Sequence, residues 1–384
     1  MHGLQKMRFL TSLEAGSLGE TLSEWKESFP SMGVCALLPE SLGDQVTVLQ
    51  DECARRQVPL VGGIFPALVR NGEFLTDGVW LLRFDTMPFY ALHADLPTDA
   101  EAAQRKVESM AQQITQQLGD QPDVTLFMLF DAMVPNISSI LDDMYLQLAN
   151  RVHYAGANAG SETFQPMACL FDGQRRLGQG VLLVLLPDHK GAILEHGYHA
   201  PQHTVYATST VGNCISQIDW RPAFEVYQEL VHNQSGMQIT RDNFYEHAVH
   251  FPFGIVRANH HVVVRIPVIL NEDGSLFCVG EVPANSVLTL LKSPAVDSQE
   301  TLEVLTDGLT ALNGNCADAE LLLFYCAGRR MHLGLEPATT ELKEFAARTK
   351  AAQIAGAVSL GEIGGSTLHG YPLFHNATLV AARW

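Results

Sequence analysis

The C-terminal stretch Gly361-Glu362-Ile363-Gly364-Gly365-Ser366, then His375-Asn376-Ala377-Thr378, then an apolar run to Trp384, decides the fold. Its scheme occurs twice more upstream. An apolar strand enters, a helix crosses over, a second strand stops at glycine, and a third strand returns. In the first unit Gly33 to Leu38 enters, Leu42 to Arg56 is the crossover helix, Val58 to Gly63 carries the glycine stop, and Gly78 to Phe84 returns. The second unit runs Val124 to Phe130, Pro135 to Ala149, Val152 to Gly160 and Gly180 to Leu186. The third runs Leu321 to Cys326, Thr339 to Lys350, Ile354 to Gly361 and Ala377 to Trp384. Each spans roughly thirty residues from entering strand to glycine stop, the size of one strand-helix-strand unit.

Between the second and third units the pattern changes. Val262 to Leu270, Leu276 to Val279 and Ser286 to Leu291 alternate with the turn chemistry of Asn271-Glu272-Asp273-Gly274-Ser275, which predicts an antiparallel meander. A helix over Arg221 to Asn233, opened by Pro222, starts a second domain. The reading is an α/β protein of two tightly packed domains, 1–219 and 220–384, with mixed sheets. A chain of 384 residues is too long for one simple core.

The net charge of -18 argues against nucleic acid and anionic membrane as partners. No apolar run reaches membrane-spanning length, and the N-terminus lacks a signal-peptide h-region, so the cytoplasm is the expected compartment. The seven cysteines are odd in number and contain no Cys-x-x-Cys, which argues against a disulfide framework or a zinc module. Several, such as Cys326, lie in apolar runs and read as small core residues. The oligomeric state is left open, a homo-oligomer included.

Familiar catalytic signatures are absent: no Gly-x-Ser-x-Gly elbow and no phosphate-binding P-loop. Gly156-Ala157-Asn158-Ala159-Gly160 lacks the dinucleotide fingerprint and reads either as a tight strand end or as a phosphate site. Fifteen histidines are the main chemical resource, densest at His189, His196, His199 and His203. Strand alternation puts His196 and His199 on opposite faces, which disfavours a shared metal ion, whereas haem needs one axial imidazole and an apolar pocket. His260-His261 reads as a strand cap. Tyr206 and Tyr371 are either ligand contacts or satisfied hydroxyls. Glu362, in a glycine turn after a buried strand, is the carboxylate best placed to face a pocket. Arg329 follows the third entering strand, where it pairs either with Glu362 or with a ligand carboxylate. No positioned nucleophile or base accompanies them, so catalysis is not expected.

Val61-Gly62-Gly63, Tyr154 to Gly160 and His196-Gly197-Tyr198-His199-Ala200-Pro201 together resemble the N-terminal part of the FIST family of bacterial sensory domains. Pro222-Ala223, Phe251-Pro252-Phe253-Gly254, Cys326-Ala327-Gly328-Arg329, Gly361-Glu362-Ile363-Gly364 and His375-Asn376-Ala377-Thr378 resemble its C-terminal part. The resemblance covers nearly the whole chain and implies a ligand-binding signal-input module without catalysis of its own. Stand-alone members of this length imply a nitric-oxide sensor carrying haem b, one of His189, His196 or His199 being the axial ligand. Such a sensor regulates a partner histidine kinase and, through it, cyclic-di-GMP signalling. The alternative is a module for a small, amino-acid-like ligand held by Arg329, Glu362 and Asn158.

Overall fold

The computed structural model describes residues 5–119, 123–257, 261–294, 299–365 and 371–384; Ser366 and His260 of the sequence reading lie outside them. The three units are present. Gly33–Pro39 pairs in parallel with Leu60–Phe65, Val124–Asp131 with His153–Ala159, and Glu320–Cys326 with Gln353–Ser359. Val79–Phe84, Val181–Pro187 and Leu379–Arg383 return antiparallel beside the entering strands. A short strand covers the far edge of each return strand: Met7–Leu10, Tyr90–His93 and Ile193–Glu195.

The units are interlocked by exchange. Past its second parallel strand, each sends a hairpin into another unit's sheet. Leu68–Arg70 and Glu73–Leu75 of the first extend the third unit's sheet at Gln353–Ser359. Leu170–Asp172 and Arg176–Leu177 of the second extend the first at Leu60–Phe65. Glu362–Gly364 and Leu373–His375 of the third extend the second at His153–Ala159. The cycle closes, giving three six-stranded mixed sheets related by a pseudo-threefold axis.

The inner faces of the sheets meet on that axis, where Ala36, Phe65, Leu129, Ala157, Phe324 and Ala357 share one core. Helices cover the outer faces in pairs: Ala15–Ser28 with Val46–Arg55, Ala100–Gln117 with Ile137–Leu148, and Glu300–Asn313 with Leu335–Thr349. Burial on both faces is why the central strands read as unbroken apolar runs. The crossover helices match the sequence reading to within a few residues, and the first helix of each pair was not anticipated. In Ala100–Gln117 the buried Val107, Met110, Ala111 and Ile114 recur at helical spacing, and the Asp99 carboxylate accepts from Ala102 N–H at 3.0 Å as the N-cap. Each such fully buried side chain contributes about 1.5–3 kcal/mol.

Gly160 and Gly361 follow the ends of the second strands His153–Ala159 and Gln353–Ser359 as expected, whereas in the first unit Gly62 and Gly63 do not stop Leu60–Phe65. Gly62, Gly156 and Gly356 lie inside the strands, where a Cβ would sit 2.2, 2.1 and 1.7 Å from the carbonyl oxygens of Ala36, Met128 and Leu323 on the parallel neighbours. Gly156 to Ala159 is therefore strand interior and not a turn.

The region between the second and third units is antiparallel as expected but divides into two small sheets. One joins Val205–Tyr206, Val287–Leu290, Phe253–Val256 and Val262–Arg265; the other joins Ser209–Val211, Cys214–Ile218, Leu276–Cys278 and Pro267–Leu270. The expected 262–270 strand breaks at Ile266-Pro267 because proline has no N–H for a continuous ladder. Ala223–Ser235 and Phe244–Ala248 pack on these sheets, the former ending at Gly236 with φ +74°. Residues 219 and 220 lie in the tight link between Cys214–Ile218 and Arg221–Pro222, which pair with each other. All seven cysteines are free, and all but the half-buried Cys214 are buried.

Candidate functional site

Where the hairpins cross between sheets, three equivalent backbone hydrogen bonds surround the axis. Ile64 N–H donates to Cys169, Asn158 N–H to Gly361, and Val358 N–H to Ala67, each at 2.8 Å. Equivalent positions can thus be compared. The residues after the three acceptors are Leu170, Glu362 and Leu68, all fully buried. The three donors are Ile64, Asn158 and Val358. Two junctions are apolar. The third, between the second and third units, places a carboxylate where the others have leucine and an amide where the others have aliphatic side chains.

Glu362 accepts from the Ser359 and Thr378 hydroxyls, and the Cys326 thiol bonds to it as well. It faces no cation among the described residues. Burial raises its pKa to about 7, against the pull of these donors. Both side-chain polar atoms of Asn158, Oδ1 of Asn376 and Nδ1 of His375 are buried with no hydrogen-bond partner among the described residues. Burial, then His196, keeps His375 well below the ordinary imidazole pKa. Leaving such groups unpaired costs on the order of 1–3 kcal/mol each, a cost the two apolar junctions show the fold does not require.

The same junction opens to a cleft between the three-sheet body and the two small sheets. Two adjoining hollows of about 60 and 260 Å³ occupy it. Cys326 and Asn376 line the smaller one, so a single thiol separates Glu362 from the cleft. Ile266, Val268 and Val279 form much of the apolar wall. Glu162 and Phe164 reach both hollows from the link between Ala159 and Leu170, which is longer than its counterparts in the other units. Glu162 pairs with Arg330 at the mouth, and Asn213 contributes a further buried amide oxygen with no partner among the described residues.

Arg329 does not meet Glu362 and does not line the cleft. It sits in the helix Ala327–Leu333 and donates Nε to Glu341 at 2.9 Å, Nη2 to Glu341 at 2.5 Å, and Nη1 to the His196 carbonyl at 2.7 Å. Tyr325 completes the cluster by donating to Glu341 at 2.6 Å. The guanidinium is consumed by a buried ion pair that ties the His196 segment to the third unit. Of the three expected site residues outside the histidines, Asn158 and Glu362 are brought together and Arg329 is held elsewhere.

The histidines are dispersed. His189 lies at the opposite end of the axis from Glu362, beyond the end of Val181–Pro187. His196 is half-buried, 5.9 Å from the His375 ring. His199 is exposed, 3.6 Å from Glu300. Tyr206 is exposed and the Tyr371 hydroxyl donates to Asp142 at 2.8 Å.

A FIST N domain matches residues 36–221 and a FIST C domain matches residues 223–365. The chain is a FIST protein. Its fold is mixed α/β with two domains and mixed sheets, and FIST domains mark a sensory signalling module. No curated protein matches the chain. The exchange of hairpins means that the FIST N and FIST C parts complete each other's sheets, and the polar junction lies where they meet. No helix among the described residues is long and apolar enough to cross a membrane.

Haem does not fit the histidines expected to hold it. Nδ1 of His189 lies 2.8 Å from the Thr125 hydroxyl and accepts from Gly191 N–H at 3.2 Å, while the ring also bonds to the Arg383 backbone. Nδ1 of His196 accepts from Tyr198 N–H at 2.9 Å and the ring also bonds to the Val262 backbone. Neither offers a free lone pair to iron, and His199 has no apolar pocket around it. Burial lowers the pKa of both His189, to about 4, and His196, so both are held as neutral hydrogen-bonded rings. No group of three or more His, Cys, Asp or Glu among the described residues is arranged to hold a metal ion.

Sequence reasoning missed Asn376, Asn213, Glu162 and the importance of Cys326. Aligning the three units would have found part of this: Leu68, Leu170 and Glu362 occupy one repeat position, and a carboxylate among leucines is visible in the sequence once the register is known.

Proposed function

We propose that this FIST protein is a sensory module for a small organic ligand, amino-acid-like in size, that binds in the cleft above the Asn158–Glu362 junction. The ligand's hydrogen-bond donors meet Asn376, Asn213 and, through the Cys326 thiol, Glu362. Its body packs on Ile266, Val268 and Val279. The observation that carries the reading is the break in pseudo-symmetry: polar residues occupy the one junction of three that opens to the cleft. A volume of about 260 Å³ in the larger hollow lies just below the range of pockets for drug-sized ligands and suits a smaller one. Occupancy would set the position of the small sheets against the three-sheet body, which a signalling partner can read. A histidine kinase as that partner, and nitric oxide as the signal, rest on the family resemblance alone.

Thermal shift against a panel of the twenty amino acids tests the reading. A ligand at a hundredfold its Kd stabilises by about 2.7 kcal/mol. Glu362→Leu installs the residue that Leu68 and Leu170 show the fold accepts. It should keep the protein folded and abolish the shift. A shift unchanged in Glu362→Leu and in Asn376→Leu would place the ligand elsewhere. Haem reconstitution giving a Soret band that is lost in His189→Ala or His196→Ala would instead restore the gas-sensor reading.

A further inference from the structure

The other end of the axis holds a larger hollow, about 420 Å³, formed where the three return strands end. Its floor is pseudo-symmetric. Phe84 lies opposite Gly33, Leu186 lies opposite Thr125, and Trp384 donates its N–H to the Glu320 carbonyl at 2.9 Å, so each unit contributes one large apolar side chain at the same position. Phe84 and Trp384 rings contact at 5.2 Å, and the indole N–H donates to the Arg83 carbonyl at 3.3 Å.

The rim is charged and its balance is opposite to that of the protein. Lys6, Lys190 and Arg383 line it, against Asp85 and Asp188, while Arg83 turns its buried guanidinium to the Phe29 and Trp25 rings. Asp85 is engaged, at 3.8 Å from Lys6 and 2.9 Å from Arg83. Lys190 and Arg383 have no carboxylate partner among the described residues; Arg383 reaches only the Asn313 carbonyl, at 3.3 Å. On a chain of net charge -18, a pocket in which cations outnumber carboxylates concentrates anions against the general field. Unpaired cations above an aromatic floor match a ligand with a flat apolar body and an anionic head, since guanidinium binds carboxylate bidentately and the rings pack the body. The volume falls within the range of small-molecule sites.

We propose that this axial hollow is a second ligand site of the protein, selective for small aromatic or similarly flat organic carboxylates, with Arg383 and Lys190 holding the head and Phe84, Leu186 and Trp384 the body. It is separate from the Asn158–Glu362 cleft, since it opens at the start of the entering strands and the cleft lies at their ends.

The full chain, labelled with fluorotryptophan, gives one 19F resonance for each of its four tryptophans, and Trp384→Phe assigns the one of interest. Benzoate should shift the Trp384 resonance saturably. Benzamide, of the same shape without the charge, should not. Arg383→Gln and Lys190→Gln, both at exposed positions, should each weaken benzoate binding about tenfold. Glu362→Leu should leave it unchanged. Absence of a saturable shift, an equal response to benzamide, or an unchanged benzoate Kd in both charge variants would overturn the proposal. A benzoate response lost in Glu362→Leu would overturn the separateness of the two sites.

Discussion

Replacing Glu362 with glutamine should make the protein more stable at alkaline pH and remove a pH dependence that the natural protein carries. Glu362 is fully buried, has hydroxyl and thiol donors but no cation among the described residues, and titrates at about 7 in place of its ordinary 4.5. The folded chain therefore holds the proton more tightly than the unfolded chain. The stability linked to that proton is fully present below about pH 4.5 and is lost as pH rises through about 7. The interval between 4.5 and about 7, at 1.36 kcal/mol per pKa unit, amounts to roughly 3 kcal/mol. Glutamine keeps one acceptor and the carboxamide shape but cannot ionise. Urea unfolding of both proteins from pH 5.5 to 8.5 measures the effect. The difference between them isolates Glu362 from the histidines that titrate in the same range. Glu362→Gln should gain steadily on the natural protein as pH rises, approaching ~3 kcal/mol by pH 8.5. Parallel curves, or a variant that loses ground at high pH, would refute the claim that an uncompensated carboxylate sits at this junction.

Gly356→Ala should cost at least ~2 kcal/mol in urea unfolding because its Cβ meets the Leu323 carbonyl at 1.7 Å, whereas Gly16→Ala, with nothing within 4 Å of its Cβ, should be neutral or stabilising. Arg329→Met should destabilise by about 3–5 kcal/mol, since it leaves the Glu341 carboxylate facing Tyr325 without its cation; the double variant Arg329→Met with Glu341→Leu should recover much of that loss. His332 is held at about 4 by burial and then by His250, whose Nδ1 lies 2.8 Å from its own. Its contribution is present above pH 6.5 and is lost as pH falls toward 4, and an acid unfolding midpoint shifted to lower pH in His332→Phe checks it.

The sequence by itself determined the three strand-helix-strand units, because a strand buried on both faces must be apolar throughout and a crossover helix must be amphipathic, and both patterns survive any arrangement of the units. It also fixed that glycine was required near each second strand, although not why: the collision that excludes a Cβ is with a carbonyl on the neighbouring strand, and it exists only once Gly356 lies against Leu323. It offered Glu362 and Asn158 separately as ligand-contact candidates, and the fold sets them beside each other. The tertiary structure alone decided the rest. The cyclic exchange of hairpins joins residues as distant as Leu68 and Ala357, and no local pattern encodes that pairing. Packing of the consecutive helices Ala327–Leu333 and Leu335–Thr349 brings Arg329 to Glu341, and the pairing of Ile193–Glu195 with Leu379–Arg383 carries His196 away from His189. Proximity in sequence set the histidines side by side, and the path of the backbone through three sheets drew them apart.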